Sequence, residues 1–90
     1  MSYGNQHDDD LIGLSQLLGD LLLDYEFPDD PGAAAEARRR VQYGNVWKAA
    51  VAGDIAAVRR GRGIFVRRAD RAQAARWIGL RPRAAALVAA

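Results

Sequence analysis

The sequence has no cysteine, which excludes a disulfide framework and any thiolate zinc site. Its one histidine, His7, stands alone, so a histidine-based metal or acid–base centre has no second member. No phosphate-loop signature, zinc spacing or nucleophile–base pair is present. Asp8, Asp9 and Asp10 are adjacent acids, without the spaced ligands and glycine of a calcium loop. No catalytic residue, metal or cofactor is therefore expected, and the chain does not read as an enzyme. No apolar run approaches the roughly 20 residues of a membrane span, and no basic-then-apolar leader opens the chain. The expectation is a soluble cytoplasmic protein with no membrane partner.

Lysine is scarce, with Lys48 the only one, and the first 36 residues contain no base at all. Those 36 residues hold nine acids. Residues 37–90 hold all thirteen bases, twelve of them arginine, against only Asp54 and Asp70. The overall charge of +2 thus conceals a segment of −9 and a body of +11. Such asymmetry points to a polyanion-binding body with an acidic arm, the alternative being a solvated basic surface. Arginine suits forked contacts to phosphate and guanine.

Five apolar positions, Leu11, Leu14, Leu18, Leu21 and Tyr25, recur at steps of three and four, broadened by Ile12, Leu17 and Leu22. This spacing predicts an amphipathic helix, with Asp8–Asp10 at its positive N-terminal end and residues 1–7 disordered. Pro28 and Pro31 end it. Asp30 as cap and Pro31 at the first position open a second helix through "GAAAEARRR". "VQYGN" reads as a turn into a third helix, with Val46, Trp47, Ala50 and Val51 inward and Gly53 as its stop. "IAAVRR" and "GIFVRR" read as two strands joined at Gly61-Arg62-Gly63. Asp70 is expected to cap a last helix with Ala74, Trp77 and Ile78 inward, Pro82 marking its limit.

The expected fold is mainly α with a two-stranded β wing: a winged helix-turn-helix preceded by an acidic amphipathic N-terminal helix. Residues 1–30 form the arm, 31–80 the DNA-binding domain and 81–90 an alanine-rich tail. In such a domain the N-terminal residues of the second helix reach base edges in the major groove. Here these are Gln42, Tyr43, Asn45 and Lys48, with Ala49 beside them. Gln and Asn match adenine, and Lys reaches guanine or phosphate. Arg60 and Arg62 at the wing tip are expected to meet backbone or minor groove, and Arg59 and Arg67 to grip flanking phosphates. Arg38, Arg39 and Arg40 suit the helix dipole, but three in a row span more than one face, so Arg38 and Arg39 are candidate phosphate contacts. Trp47 and Trp77 are expected in the core.

The stretch "VQYGNVWKAAVAGDIAAVRRGRGIFVRRAD" resembles the MerR-type winged helix-turn-helix of excisionases, the recombination directionality factors of phages and integrative elements. Val41, Trp47, Gly53, Asp54, Ile55, Ala57, Val58, Arg59, Gly61, Phe65, Val66, Arg67, Arg68 and Asp70 carry it, over residues 33–78. Gln42, Ala56 and Arg71 depart from it, standing where a Ser or Thr cap, a proline and a leucine are usual. The resemblance implies a sequence-specific, nucleoid-associated double-stranded DNA-binding protein. Its role would be architectural, self-associating on DNA and directing a site-specific recombinase (an integrase). A small transcriptional regulator on the same fold is the alternative. A protein-interaction module of antiactivator type, docking through the leucine-rich arm, is a second.

Overall fold

A computed structural model describes residues 10–83. The apolar run expected to be one helix divides in two. Leu11–Gly13 forms a strand, β1, and Leu14–Asp24 forms helix α1. Gly13, in extended conformation, is the N-cap, without a side-chain hydrogen bond. Asp10 lies outside the helix, and its carbonyl accepts from the Arg68 amide at 2.9 Å. Asp8, Asp9, residues 1–7 and residues 84–90 lie outside the described residues. The physical reason for the division is pairing: β1 aligns antiparallel with a strand from the far half of the chain, placing Ile12 opposite Val66, both buried.

The remaining elements are β2 (Tyr25–Glu26), α2 (Pro31–Arg40), α3 (Tyr43–Ala52), β3 (Val58–Arg60), β4 (Gly63–Arg67), a 3-10 turn (Arg68–Asp70), α4 (Arg71–Ile78) and β5 (Arg81–Pro82). Among the described residues the fold is therefore helix-rich, with four α-helices, a three-stranded sheet in the order β1-β4-β3 and a two-stranded sheet β2-β5. The expected two-stranded hairpin is present, widened by β1. The expected tail contributes Arg81 and Pro82 to β5, where Pro82, lacking an N–H, sits on a short edge strand. None of the helices is long and apolar enough to cross a membrane, among the described residues.

The leucine stripe has found its host. Ile12, Leu14, Leu17 and Leu21 join Val46, Ile55, Val66, Ile78 and Leu80 in one buried cluster. The face that an interaction module was to offer a partner is thus largely inside the protein; Leu22 and Leu23 remain exposed on α1. Burial on this scale supplies most of the driving force for a chain of this size, since each large aliphatic contributes about 1.5–3 kcal/mol.

Local chemistry sets the other boundaries. Asp30 Oδ2 accepts from the Ala33 amide at 2.8 Å, and Pro31 opens α2. Only Val41 and Gln42 separate α2 from α3. Gly53 at φ +89° ends α3 in the left-handed region that glycine enters without cost. The hairpin closes at Arg60↔Gly63, leaving Gly61-Arg62 as a two-residue loop. Gly61 has φ +56° and Arg62 a negative φ, the type II′ pattern with glycine first. In α4 the expected Asp70 cap is absent as a side-chain bond. Asp70 sits at φ −97°, ψ 6° rather than in the extended region of an N-cap. The 3-10 turn instead feeds the helix directly, with the Arg71 amide bonded to the Arg68 carbonyl. Gly79 at φ +99°, not Pro82, terminates α4.

Candidate nucleic-acid interface

The buried side of α3 is narrow. Val46, Ala49 and Ala50 face the core, so Ala49, expected at the rim of the outward set, is inside. Trp47 and Val51, expected inward, face out at 43% and 51% exposure, and Tyr43 at 52%. The reason is angular. Val46 and Ala50 define the helix's inner line, and a step of 100° per residue carries Trp47 and Val51 off it. Tyr43, Trp47 and Val51, each four residues apart, form a row on the outer surface. Gly44, Lys48 and Ala52 complete the solvent-facing arc. Trp77 is half-buried and packs on the core.

Both flanks of this arc meet cations. On one side, Val51 and Ala50 border a hollow of about 260 Å³ with Val58, Arg59 and Ile64 of the hairpin. On the other, Lys48, Asn45 and Ala52 border a groove of about 370 Å³ with Arg39, Arg40 and Trp77, three cations against one acid, Asp54. The hairpin's register sorts its arginines by face. Arg59 pairs with Ile64, on the face shared with buried Val66, whereas Arg60 and Arg67 lie on the reverse face with Phe65. Arg62 occupies the exposed turn. A Cβ on Gly63 would stand 2.7 Å from the Phe65 ring, so glycine there lets that ring lie across the hairpin.

Of the α2 arginines Arg38 and Arg39 are exposed and Arg40 is half-buried, and all three are engaged. Arg38 stacks over the Phe27 ring, 5.0 Å from its centroid. Arg39 donates through Nε and Nη2 to the Glu36 carboxylate, and Arg40 Nε donates to the same group at 2.9 Å. Arg40 also stacks on Trp77 and donates to its carbonyl at 2.7 Å. Hydrogen bonds from Arg39 and then Arg40 hold the Glu36 carboxyl down at about 2. The Asn45 amide, expected to read adenine, donates instead to the Arg39 carbonyl at 2.8 Å, tying α3 back to the end of α2. Gln42 is the N-cap of α3, makes no side-chain capping bond and is exposed.

The structure therefore gathers Gln42, Tyr43, Lys48, Arg39 and Arg59 around α3, with Arg62 at the hairpin turn. It sets Arg60 and Arg67 on the other face of the sheet and commits Asn45 to an internal bond. Sequence reasoning missed the outward position of Trp47 and Val51, although their spacing from Tyr43 carried it. It also missed Gln73, whose amide accepts from the Ala56 N–H at 2.9 Å and donates to the Asp54 carbonyl at 2.8 Å. That bracket fixes the link between α3 and the hairpin, and nothing in the spacing of the sequence announces it.

Compared with protein-family models, with curated proteins and with solved structures, the chain matches none.

Proposed function

We propose that this protein binds double-stranded DNA in a sequence-specific manner, with α2 and α3 as a helix-turn-helix pair and β3–β4 as its wing. The observation that carries this reading is the outer arc of α3, half-exposed and bordered by cations on both flanks. An α-helix fits the major groove, and flanking bases on a hairpin and on the preceding helix fall where the two phosphate backbones run. Arg39 and Lys48 serve one backbone, Arg59 and Arg62 the other, and Gln42 stands at the helix start where base edges are reached. Arg38, held by Phe27, extends the α2 side. Phosphate competes with Glu36 for Arg39 and Arg40, so contact with DNA exchanges one anion for another.

The architectural role beside a site-specific recombinase is proposed on the resemblance of residues 33–78 to excisionases. A domain of this size covers too little DNA for strong specificity by itself, which favours several copies side by side. The test of DNA binding is salt. With about five cations on phosphate per protomer, log K against log[salt] should slope about −4 to −5, measured by anisotropy on a labelled duplex. A flat dependence from low to physiological salt overturns nucleic acid as the partner. Altered recombination between attachment sites on adding the protein to an integrase assay would support the architectural role, and no alteration would remove it.

A further inference from the structure

The outer arc of α3 has no amide or carboxylate side chain; its hydrogen-bonding groups are the Tyr43 hydroxyl, the Trp47 N–H and the Lys48 ammonium. Asn45 is spent on the Arg39 carbonyl. What dominates is the row Tyr43, Trp47 and Val51, each about half exposed. Within a major groove the base edges offer mainly donors and acceptors, and the one apolar group that projects from them is the C5-methyl of thymine. On the DNA-binding reading above, on which this step rests, we propose that the row reads C5-methyl groups. Thymine is then preferred over uracil, and 5-methylcytosine over cytosine, which carries its methyl at the same place.

One observation favours this occupant over an apolar protein surface, and a second allows its close approach. The first is charge: the row lies between Lys48 and Arg39 on one side and Arg59 on the other. Arg39 already has Glu36 as its counter-charge, but an apolar protein partner would bury Lys48 and Arg59 without one, whereas a duplex supplies a phosphate to each. The second is Gly44. It lies on the same arc, is exposed, has an ordinary φ, and has no atom within 4 Å of where a Cβ would stand. Nothing within the described chain asks for glycine there. Its absent side chain lets the helix backbone come close to whatever lies against the row.

The test uses the intact chain and two alternating duplexes, poly(dA-dT) and poly(dA-dU), which differ only in the methyl group. Tighter binding to the thymine duplex is expected, by about fourfold for each methyl that meets the row, the factor that follows from burying one such carbon. A mixed-sequence duplex with 5-methylcytosine in place of cytosine should gain by a similar factor. Trp47→Ser and Val51→Ser should abolish the preference and leave the salt slope in place. Equal binding to both copolymers, with a steep salt slope, overturns the methyl reading and leaves DNA binding standing. A thymine preference that survives both substitutions also overturns it, since groove shape would then be the source. No binding to any duplex overturns DNA binding itself. The copolymer comparison needs no altered protein, so a variant that fails to fold does not blunt the test.

Discussion

Two regions rich in arginine behave in opposite ways. Where β2 meets β5, Arg81 donates to Glu26 at 2.9 Å and to Asp29 at 3.2 Å, and Arg83 reaches Glu26 and the Leu22 and Leu23 carbonyls. Arg71 similarly faces Asp20 at 3.8 Å. Across the β3–β4 hairpin, Arg59 and Arg62 are exposed and have no acidic partner among the described residues. The acidic first third of the chain is thus not a uniform counterweight to the basic remainder. It neutralises the arginines at the C-terminal end of the fold and leaves Arg59 and Arg62 of the hairpin, with Lys48 on the outer arc of α3, as unpaired cations among the described residues. Focusing a field in this way matters more for a polyanion than net charge does.

The largest expected effect concerns whether the two regions are separable at all. Removing residues 1–29 takes Ile12, Leu14, Leu17 and Leu21 from the core. A single buried Leu→Ala change costs about 2–5 kcal/mol, against a total stability of about 5–15 kcal/mol. The truncated chain should therefore show no cooperative melt by circular dichroism. A sharp transition near that of the full chain would mean the two halves fold independently.

Next in size is a direct contrast of arginines. Arg59→Ala with Arg62→Ala should reduce the salt slope for duplex binding by about 2, one unit per lost phosphate contact. Arg81→Ala should leave the slope unchanged while lowering the melting temperature slightly, because exposed ion pairs contribute about 0–1 kcal/mol. Arg67→Ala, on the reverse face of the sheet, should change the slope less than Arg59→Ala. Equal changes at all four positions would mean that the two arginine-rich regions do not differ towards DNA.

A smaller effect separates two glycines that share a helical, unobstructed setting, Gly19 in α1 and Gly44 in α3. Gly19→Ala, in the middle of α1, should stabilise the fold by about 0.5–1 kcal/mol in chemical denaturation, and Gly44→Ala, in the first turn of α3, by less. Gly44→Ala alone should also weaken duplex binding. Identical binding by both variants would show that α3 keeps its distance from DNA.

The smallest effect is acidic. Glu36 is held down at about 2 by Arg39 and Arg40, from an ordinary value of 4.5. A lowered pKa stabilises the fold above the ordinary value, and that contribution disappears as pH falls from about 4.5 towards 2. Carbon-detected titration of the Glu36 carboxyl should show its midpoint well below those of unpaired glutamates. A midpoint near 4.5 would mean Arg39 and Arg40 are not held by it in solution.

Much of the fold was legible where local chemistry decides. Asp30 and Pro31 gave the start of α2, Gly53 the end of α3, and Gly61 the hairpin turn, because capping and positive φ are short-range requirements. Leu11–Gly13 was misread because three apolar residues before a helix are compatible with either period. Only pairing with β4, more than fifty residues away, makes them a strand. The same holds for Arg81 and Pro82, whose strand exists through Tyr25 and Glu26. At the candidate site, Lys48, Gln42 and Arg59 were foreseen as outward. Asn45 was not seen to be occupied, since its partner is a backbone carbonyl that the sequence does not distinguish from any other. Hydrophobicity alone favours an inward Trp47, but its angle from Val46 and Ala50 turns it out.

The pairing of β1 with β4 also bears on how the protein forms. Leu11 waits for Arg67, and Tyr25 for Pro82, each more than fifty residues later in the chain. At about 5–20 residues per second of synthesis, those partners emerge roughly 3–11 s apart. During that interval α1 has no hairpin to lie against, and its leucines face water or a chaperone. Both sheets therefore close late, and the loop entropy of those closures falls on the final step rather than the first. For a mostly helical chain of this length, refolding after dilution from denaturant should be slower than its helix content suggests, with hairpin and α1 gaining protection from hydrogen exchange together.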